Sequence, residues 1–290
     1  MRRLLLGAFL GALAGALALA GRWLWISVGV GTGYAAKVTC ALVLNSGQDP
    51  EGVLRDYVFH EVDPLGAVLR VAVTGGGASA SALGLVQASA VHRPGLGCTL
   101  VADADEADLG RVPAVETPLP GPDPELPWPL GGAAPESPPP PGVEAAIERA
   151  FQAIDPALGL RQTTAVVVVH DGHLVAERYA PGYGPETPML SWSMAKSVLA
   201  TLVGIAVAEG RLALDAPAPV PEWSDPADPR HAITLDQLLR ASSGLRFDEH
   251  YGTTNDVSRM LFTKGDAGAF AARMPLAAPP DSVWSYSSGT

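Results

Sequence analysis

The chain has 290 residues, a formal charge of −11 at neutral pH, and a hydrophobic fraction of 48% that suffices for a packed core. So acidic a chain lacks the basic surface on which nucleic-acid binding depends. Its two cysteines form no CxxC, and there is no HExxH or Cys/His cluster, which argues against a structural zinc site; no metal and no cofactor are expected.

Arg2 and Arg3 precede an uncharged apolar run, Leu4 to Gly21; Arg22 interrupts it and WLWISVGV follows. As a helix, Leu4 to Ala20 spans about 25 Å. Extended through Trp23 to Val30 it crosses a bilayer with tilt, and Trp23 and Trp25 suit the interface. The alternative is a cleaved signal peptide, for which Ala18-Leu19-Ala20 supplies an A-x-A site. Apolar character continues past that site, which favours a retained anchor. Both readings keep the arginines in the cytoplasm and export the rest, to the periplasm or the exterior. Gly29, Gly31 and Gly33 form a GxGxG string without strand-turn-helix context; we read it as a flexible exit from the bilayer. Residues 1–34 are thus the signal-anchor or transmembrane segment.

Residues 35–111 read as a small, mostly β module ending near Val101. Lys37–Leu44, Ala67–Thr74 and Leu85–His92 are short β-like runs, separated by the glycine turns at 75–77 and 95–97. In an oxidising compartment two cysteines in one small module can pair. We expect a Cys40–Cys98 disulfide, with two free buried thiols as the alternative. His60 and His92 stand alone and read as surface residues. Residues 112–142 hold twelve of the 27 prolines and read as an extended, semi-rigid linker.

Residues 143–290 gather the chemistry. A helix is expected over Val143–Ala153. Thr164–His170 and His173–Ala180 read as strands joined at Asp171-Gly172, a hairpin signal; His170 and His173, flanking that turn, read as structural. Leu190–Gly210, LSWSMAKSVLATLVGIAVAEG, organises the domain. Val198, Leu199, Leu202, Ile205 and Ala206 recur at helical spacing. Ser193 and Lys196 lie three residues apart on one face, at the end where free N–H groups favour a developing oxyanion. The apolar run should bury the helix and exclude water from the amine. A serine becomes nucleophilic when a base takes its proton, and a lysine with a lowered pKa can serve. Alone, S-x-x-K is a weak signal.

Downstream, Ile233–Arg240 reads as a short helix with Thr234 as N-cap, and Asp256–Phe262 and Ala267–Arg273 as two more. Tyr286 and Ser288 form Y-x-S, and a tyrosine is a useful base when a lysine cation stabilises its phenolate. Ser193-Met194-Ala195-Lys196, Glu209-Gly210-Arg211-Leu212 with Leu214-Asp215, Ile233-Thr234-Leu235 with Leu238-Leu239, Ser243-Gly244-Leu245, and Trp284 with Tyr286-Ser287-Ser288 occur in order. Residues 143–290 thereby resemble the serine β-lactamase and penicillin-recognising hydrolases, in the class C-like branch that includes DD-peptidases, carboxylesterases and 6-aminohexanoate-dimer hydrolases.

The resemblance implies an α+β fold, an α/β sandwich with an antiparallel sheet flanked by helices. It implies Ser193 as acylated nucleophile, Lys196 as its amine partner and Tyr286 as general base. Ser288 would hydrogen-bond Lys196 or substrate, in proton relay or substrate binding. Y-x-S looks more like the esterase and aminohexanoate-dimer branch than a β-lactamase Y-x-N. Pro280-Asp281 stands where the family usually has Pro-Gly, and Ala241-Ser242 where relatives often have His-Thr. The family's third motif, a Lys-Thr-Gly-like triplet that gives an oxyanion N–H, is absent, so we expect a truncated chain. Losing one such donor costs about a hundredfold or more in rate.

The implied function is an exported serine hydrolase acting on an ester, amide or peptide acyl substrate, with DD-peptidase or β-lactamase action on peptidoglycan or β-lactams as alternatives. A Ser-His-Asp enzyme is disfavoured: there is no G-x-S-x-G, and spacing does not support His231 or His250 as the base. The rival of another class is a non-catalytic binding or sensor protein on the same scaffold. The sequence is silent on substrate identity and oligomeric state.

Overall fold

The computed structural model describes residues 2–103, 109, 123–133, 138–152 and 163–290. In chain order these form α1 (Arg2–Cys40), α2 (Pro50–Val53), β1 (Leu69–Thr74), β2 (Gly77–Ala82), β3 (Val86–Arg93) and β4 (Gly97–Val101). Then follow β5 (Asp123–Pro127), β6 (Gly131–Ala133), α3 (Pro141–Phe151), β7 (Ala165–His170) and β8 (His173–Tyr179). Last come α4 (Ala195–Ala208), α5 (Leu235–Leu239), α6 (Asp256–Thr263) and α7 (Ala267–Ala272). The fold is α+β, with antiparallel sheets among helices. The chain divides into two compact units, residues 1–114 with 189–290, and residues 115–188.

The first unit is built around the second half of α1. From Phe9 to Trp25 the helix is exposed; from Val30 it is buried. Ala35, Ala36, Val38, Cys40 and Leu42 pack on Leu69, Ala78, Ala80 and Ala90 of the antiparallel sheet β1-β2-β3-β4. In β2, GASASA, alternate alanines turn inward at the two-residue strand period, and their small side chains leave room for the helix.

Two expectations are corrected here. Lys37–Leu44 is not a strand: it completes α1 and enters a π-helical turn, Ala41–Asn45. Packing on the sheet overrides the β propensity of Val38, Thr39 and Val43. Nor is the GxGxG string a flexible exit, since all three glycines lie inside α1. A Cβ on Gly31 would meet Leu65 Cδ2 at 2.4 Å, and one on Gly33 would meet the Phe262 carbonyl oxygen at 1.9 Å. Gly33 thus lets α1 touch α6, where Tyr34 and Phe262 also stack edge to face, ring centroids 5.2 Å apart. A Cβ on Gly29 meets nothing within 4 Å. Gly33→Ala should therefore destabilise the protein by about 1–3 kcal/mol through overpacking against backbone. Gly29→Ala should stabilise it by up to about 1 kcal/mol through helix propensity. Urea unfolding in detergent separates the two; equal shifts would refute the close packing.

Cys40 and Cys98 form a disulfide with Cα atoms 6.0 Å apart, joining the end of α1 to β4. The remainder of the first unit has a second core: Trp223, Ile233, Leu245, Ala218 and Ala272, with Trp223 Nε1 donating to the Ala272 carbonyl at 2.8 Å. Thr234 caps α5 as expected, and Gln237 returns a bond to the Thr234 backbone N–H to complete a capping box.

In the second unit, β7 and β8 form the expected hairpin. Asp171 and Gly172 both have positive φ, 49° and 77°, as a two-residue hairpin turn requires. Pro141, rather than Val143, opens α3, since a proline at the first helical position loses no bond. Ala153, the expected end of that helix, lies outside the described residues. Arg178 pairs with Glu148 and lies over the Phe151 ring, 5.1 Å from its centroid. Of the proline-rich stretch 112–142, residues 123–133 and 138–142 are described. Within them β5 and β6 pair in parallel, and Pro141 and Gly142 already belong to α3; residues 112–122 and 134–137 of that linker reading lie outside the described residues.

Candidate active site

The nucleophile candidate sits where the chain turns into α4. Trp192 has φ 43°, a left-handed conformation costly for a bulky residue and concentrated at functional sites. The turn carries Ser193 in a single 3₁₀ turn, Trp192–Met194, ahead of α4. Ser193 therefore faces the positive end of the α4 dipole. Three residues on, Lys196 Nζ donates to Ser193 Oγ at 3.2 Å.

The Y-x-S segment reaches the same point from 93 residues away: the Tyr286 hydroxyl donates to Ser193 Oγ at 2.6 Å. Lys196 Nζ lies 5.1 Å from the Tyr286 ring centroid and makes a long contact, 3.5 Å, with Ser288 Oγ. The structure thus brings Ser193, Lys196, Tyr286 and Ser288 together.

The Ser243-Gly244-Leu245 block explains how Tyr286 is held. Ser242 and Ser243 are buried. Backbone bonds run from Ala277 N to Gly244 O, from Asp281 N to Ser242 O and from Ser285 N to Ala241 O, each 2.8 Å. Gly244 has φ 76°, and a Cβ there would meet Ala278 O at 2.2 Å, so only glycine permits this approach. Asp281 adopts φ 63°, so the turn keeps a glycine-type backbone without the glycine. Aspartate tolerates this region better than most residues. Its carboxylate accepts from Arg240 and from Ser242 Oγ, and those bonds hold its pKa below the usual carboxylate range.

Glu249 is the neighbour that sequence reasoning missed. It lies in the irregular loop before α6, where no periodicity marks it. Ser288 Oγ donates to Glu249 Oε1 at 2.6 Å, and the Ser288 backbone N–H to Oε2 at 2.7 Å.

The electrostatics favour the phenol as base. The hydrogen bonds with Ser193 and Lys196, and then the positive charge of Lys196, hold the Tyr286 pKa below its usual range; partial burial and the charge of Glu249 oppose them. The expected burial of the helix and its amine is corrected. No residue of α4 is buried, and Val198, Leu199, Leu202 and Ile205 are each half or more exposed. Lys196 is only half-buried. Helical spacing shows which residues share a face, but not whether anything covers it. His231 bonds the Trp223 carbonyl and His250 bonds Asp248. Among the described residues, no group of three or more His, Cys, Asp or Glu side chains is placed to hold a metal ion.

Chemically, Ser193 Oγ accepts from two donors and keeps its own proton. Ionisation of Tyr286 reverses the 2.6 Å bond: the phenolate becomes the acceptor for the serine proton.

The family model described as Beta-lactamase matches residues 150–290, a span that contains all five of these side chains. No curated protein matches the chain.

Proposed function

With residues 150–290 belonging to the serine β-lactamase-like, penicillin-recognising family, we propose that the protein is a serine hydrolase that cleaves an ester, amide or related acyl bond through an acyl-Ser193 intermediate. The observation that carries this reading is the convergence of Tyr286 and Lys196 on one oxygen, Ser193 Oγ. Tyr286, as phenolate, takes the Ser193 proton while Oγ bonds to the acyl carbon. The proton then passes, by way of Lys196, to the leaving alcohol or amine as its bond to the acyl carbon breaks. Water, deprotonated by the same pair, releases the acid and restores Ser193. A binding protein has no need of a base within 2.6 Å of a serine hydroxyl.

The same reading makes the protein exported and tethered. The helix from Phe9 to Asn45 is apolar and long enough to cross a membrane. Its first part is exposed and its second forms the core of the folded unit, which suits an anchor continuous with the domain it carries. The four-part division into anchor (1–34), β module (35–111), linker (112–142) and hydrolase domain (143–290) belongs to this proposal.

Intact-mass measurement after treatment with a fluorophosphonate probe tests the reading. We expect one adduct, mapping to Ser193, and none on Ser193→Ala. A folded wild-type protein that takes up no probe would defeat it.

A further inference from the structure

Ser288 has one hydroxyl proton and two possible uses for it, toward Lys196 or toward Glu249. The distances decide. An ionised carboxylate only accepts, and Glu249 Oε1 lies 2.6 Å from Ser288 Oγ, against 3.5 Å for Lys196 Nζ. The proton is therefore committed to Glu249, and the hydroxyl has only lone pairs to offer the amine. The other carboxylate oxygen binds the Ser288 backbone N–H at 2.7 Å, so the clamp fixes backbone and side chain together.

The loop carrying Glu249 is itself held. Asp248 accepts from Asn255 Nδ2 and from the His250 backbone N–H, and pairs with the His250 ring. Thr253 bonds Ser27 of α1 at 2.9 Å.

We propose that Glu249 is a positioning residue: by taking the Ser288 proton it makes Ser288 a pure acceptor, which holds the Lys196 amine between Ser193 and Tyr286. The inference rests on the hydrolase reading above. It also gives Ser288 a defined part, an acceptor for Lys196 rather than a hydrogen-bond donor to substrate. The arrangement has an electrostatic cost, because the charge of Glu249 opposes ionisation of Tyr286.

The test is the pH profile of kcat/KM for p-nitrophenyl butyrate. Gln at position 249 still accepts the Ser288 proton through its oxygen, but turns an NH₂ group toward the Ser288 N–H. Glu249→Gln should lower the plateau about 10- to 100-fold, the effect of losing one charged hydrogen bond. It should also move the rising limb to lower pH, since removing a negative charge eases ionisation of Tyr286. That limb reports the lost charge; the positioning role is read from the coupling to Ser288. In a Ser288→Ala background the same substitution should change the plateau by no more than about twofold, because coupled residues are not additive. An unchanged Glu249→Gln plateau and limb would overturn the proposal, as would a full loss that persists without the Ser288 hydroxyl. Fluorophosphonate labelling keeps the two readings apart. If wild type labels at Ser193 and the Glu249 variants match it in rate, only the positioning role falls; if wild type does not label, the hydrolase reading falls and takes this role with it.

Discussion

Tyr286→Phe is expected to lower kcat/KM for a short-chain ester about a thousandfold, within the range for loss of a positioned general base. The substitution keeps the ring, and so keeps the apolar surface under Lys196, whose Nζ lies 5.1 Å from the ring centroid. It removes only the oxygen 2.6 Å from Ser193 Oγ. The pH dependence gives the sharper readout. A base acts in its deprotonated form, so wild-type kcat/KM should rise with pH through the Tyr286 pKa of the free enzyme. That rise should come below the value near 10 of an unperturbed tyrosine, because the bonds to Ser193 and Lys196 favour the phenolate. The Phe variant should lack this limb. A variant that keeps both the rate and the limb would show that Lys196, not Tyr286, takes the serine proton.

What the sequence made legible at this site was local or carried by motif order. Ser193 and Lys196 meet because three residues of helix-like backbone place them on one face. Tyr286 and Ser288 stood out as Y-x-S, but only the ordered blocks of a family resemblance tied them to Ser193, since 93 residues separate Tyr286 from it. Glu249 had neither signal: its partner lies 39 residues away, and its loop has no period to read. The β module shows the same limit. β2, GASASA, offers too little contrast between alanine and serine for alternation to register, yet it pairs along its full length with β1 and β3. The glycines of α1 were misread for a related reason. A glycine in sequence signals a turn or a close approach equally well, and only the position of Phe262 shows which applies at Gly33. The expected burial of α4 failed differently: its apolar residues are real, but Val198, Leu199, Leu202 and Ile205 stay half or more exposed.

Replacing both Cys40 and Cys98 with Ala should lower the stability of the folded unit by about 2–4 kcal/mol. The two residues are 58 apart in sequence, and closing a loop of that length in the unfolded chain is worth about 4 kcal/mol on the chain-entropy account. Cys40 is fully buried among Val38, Leu42 and the sheet alanines, so small cavities add to the loss. The consequence reaches beyond the module. The disulfide fastens the end of α1 to β4, and the same helix supports α6 through Gly33 and Tyr34 and the Glu249 loop through Ser27. Loosening α1 should therefore depress esterase rate at temperatures well below the unfolding midpoint, which a rate-against-temperature curve would show beside the urea midpoint. Alkylation of the native protein is the companion measurement: no thiol should react before reduction. Two reactive thiols, with a urea midpoint unmoved by the double substitution, would remove the disulfide from the native protein and with it the redox support for an exported domain.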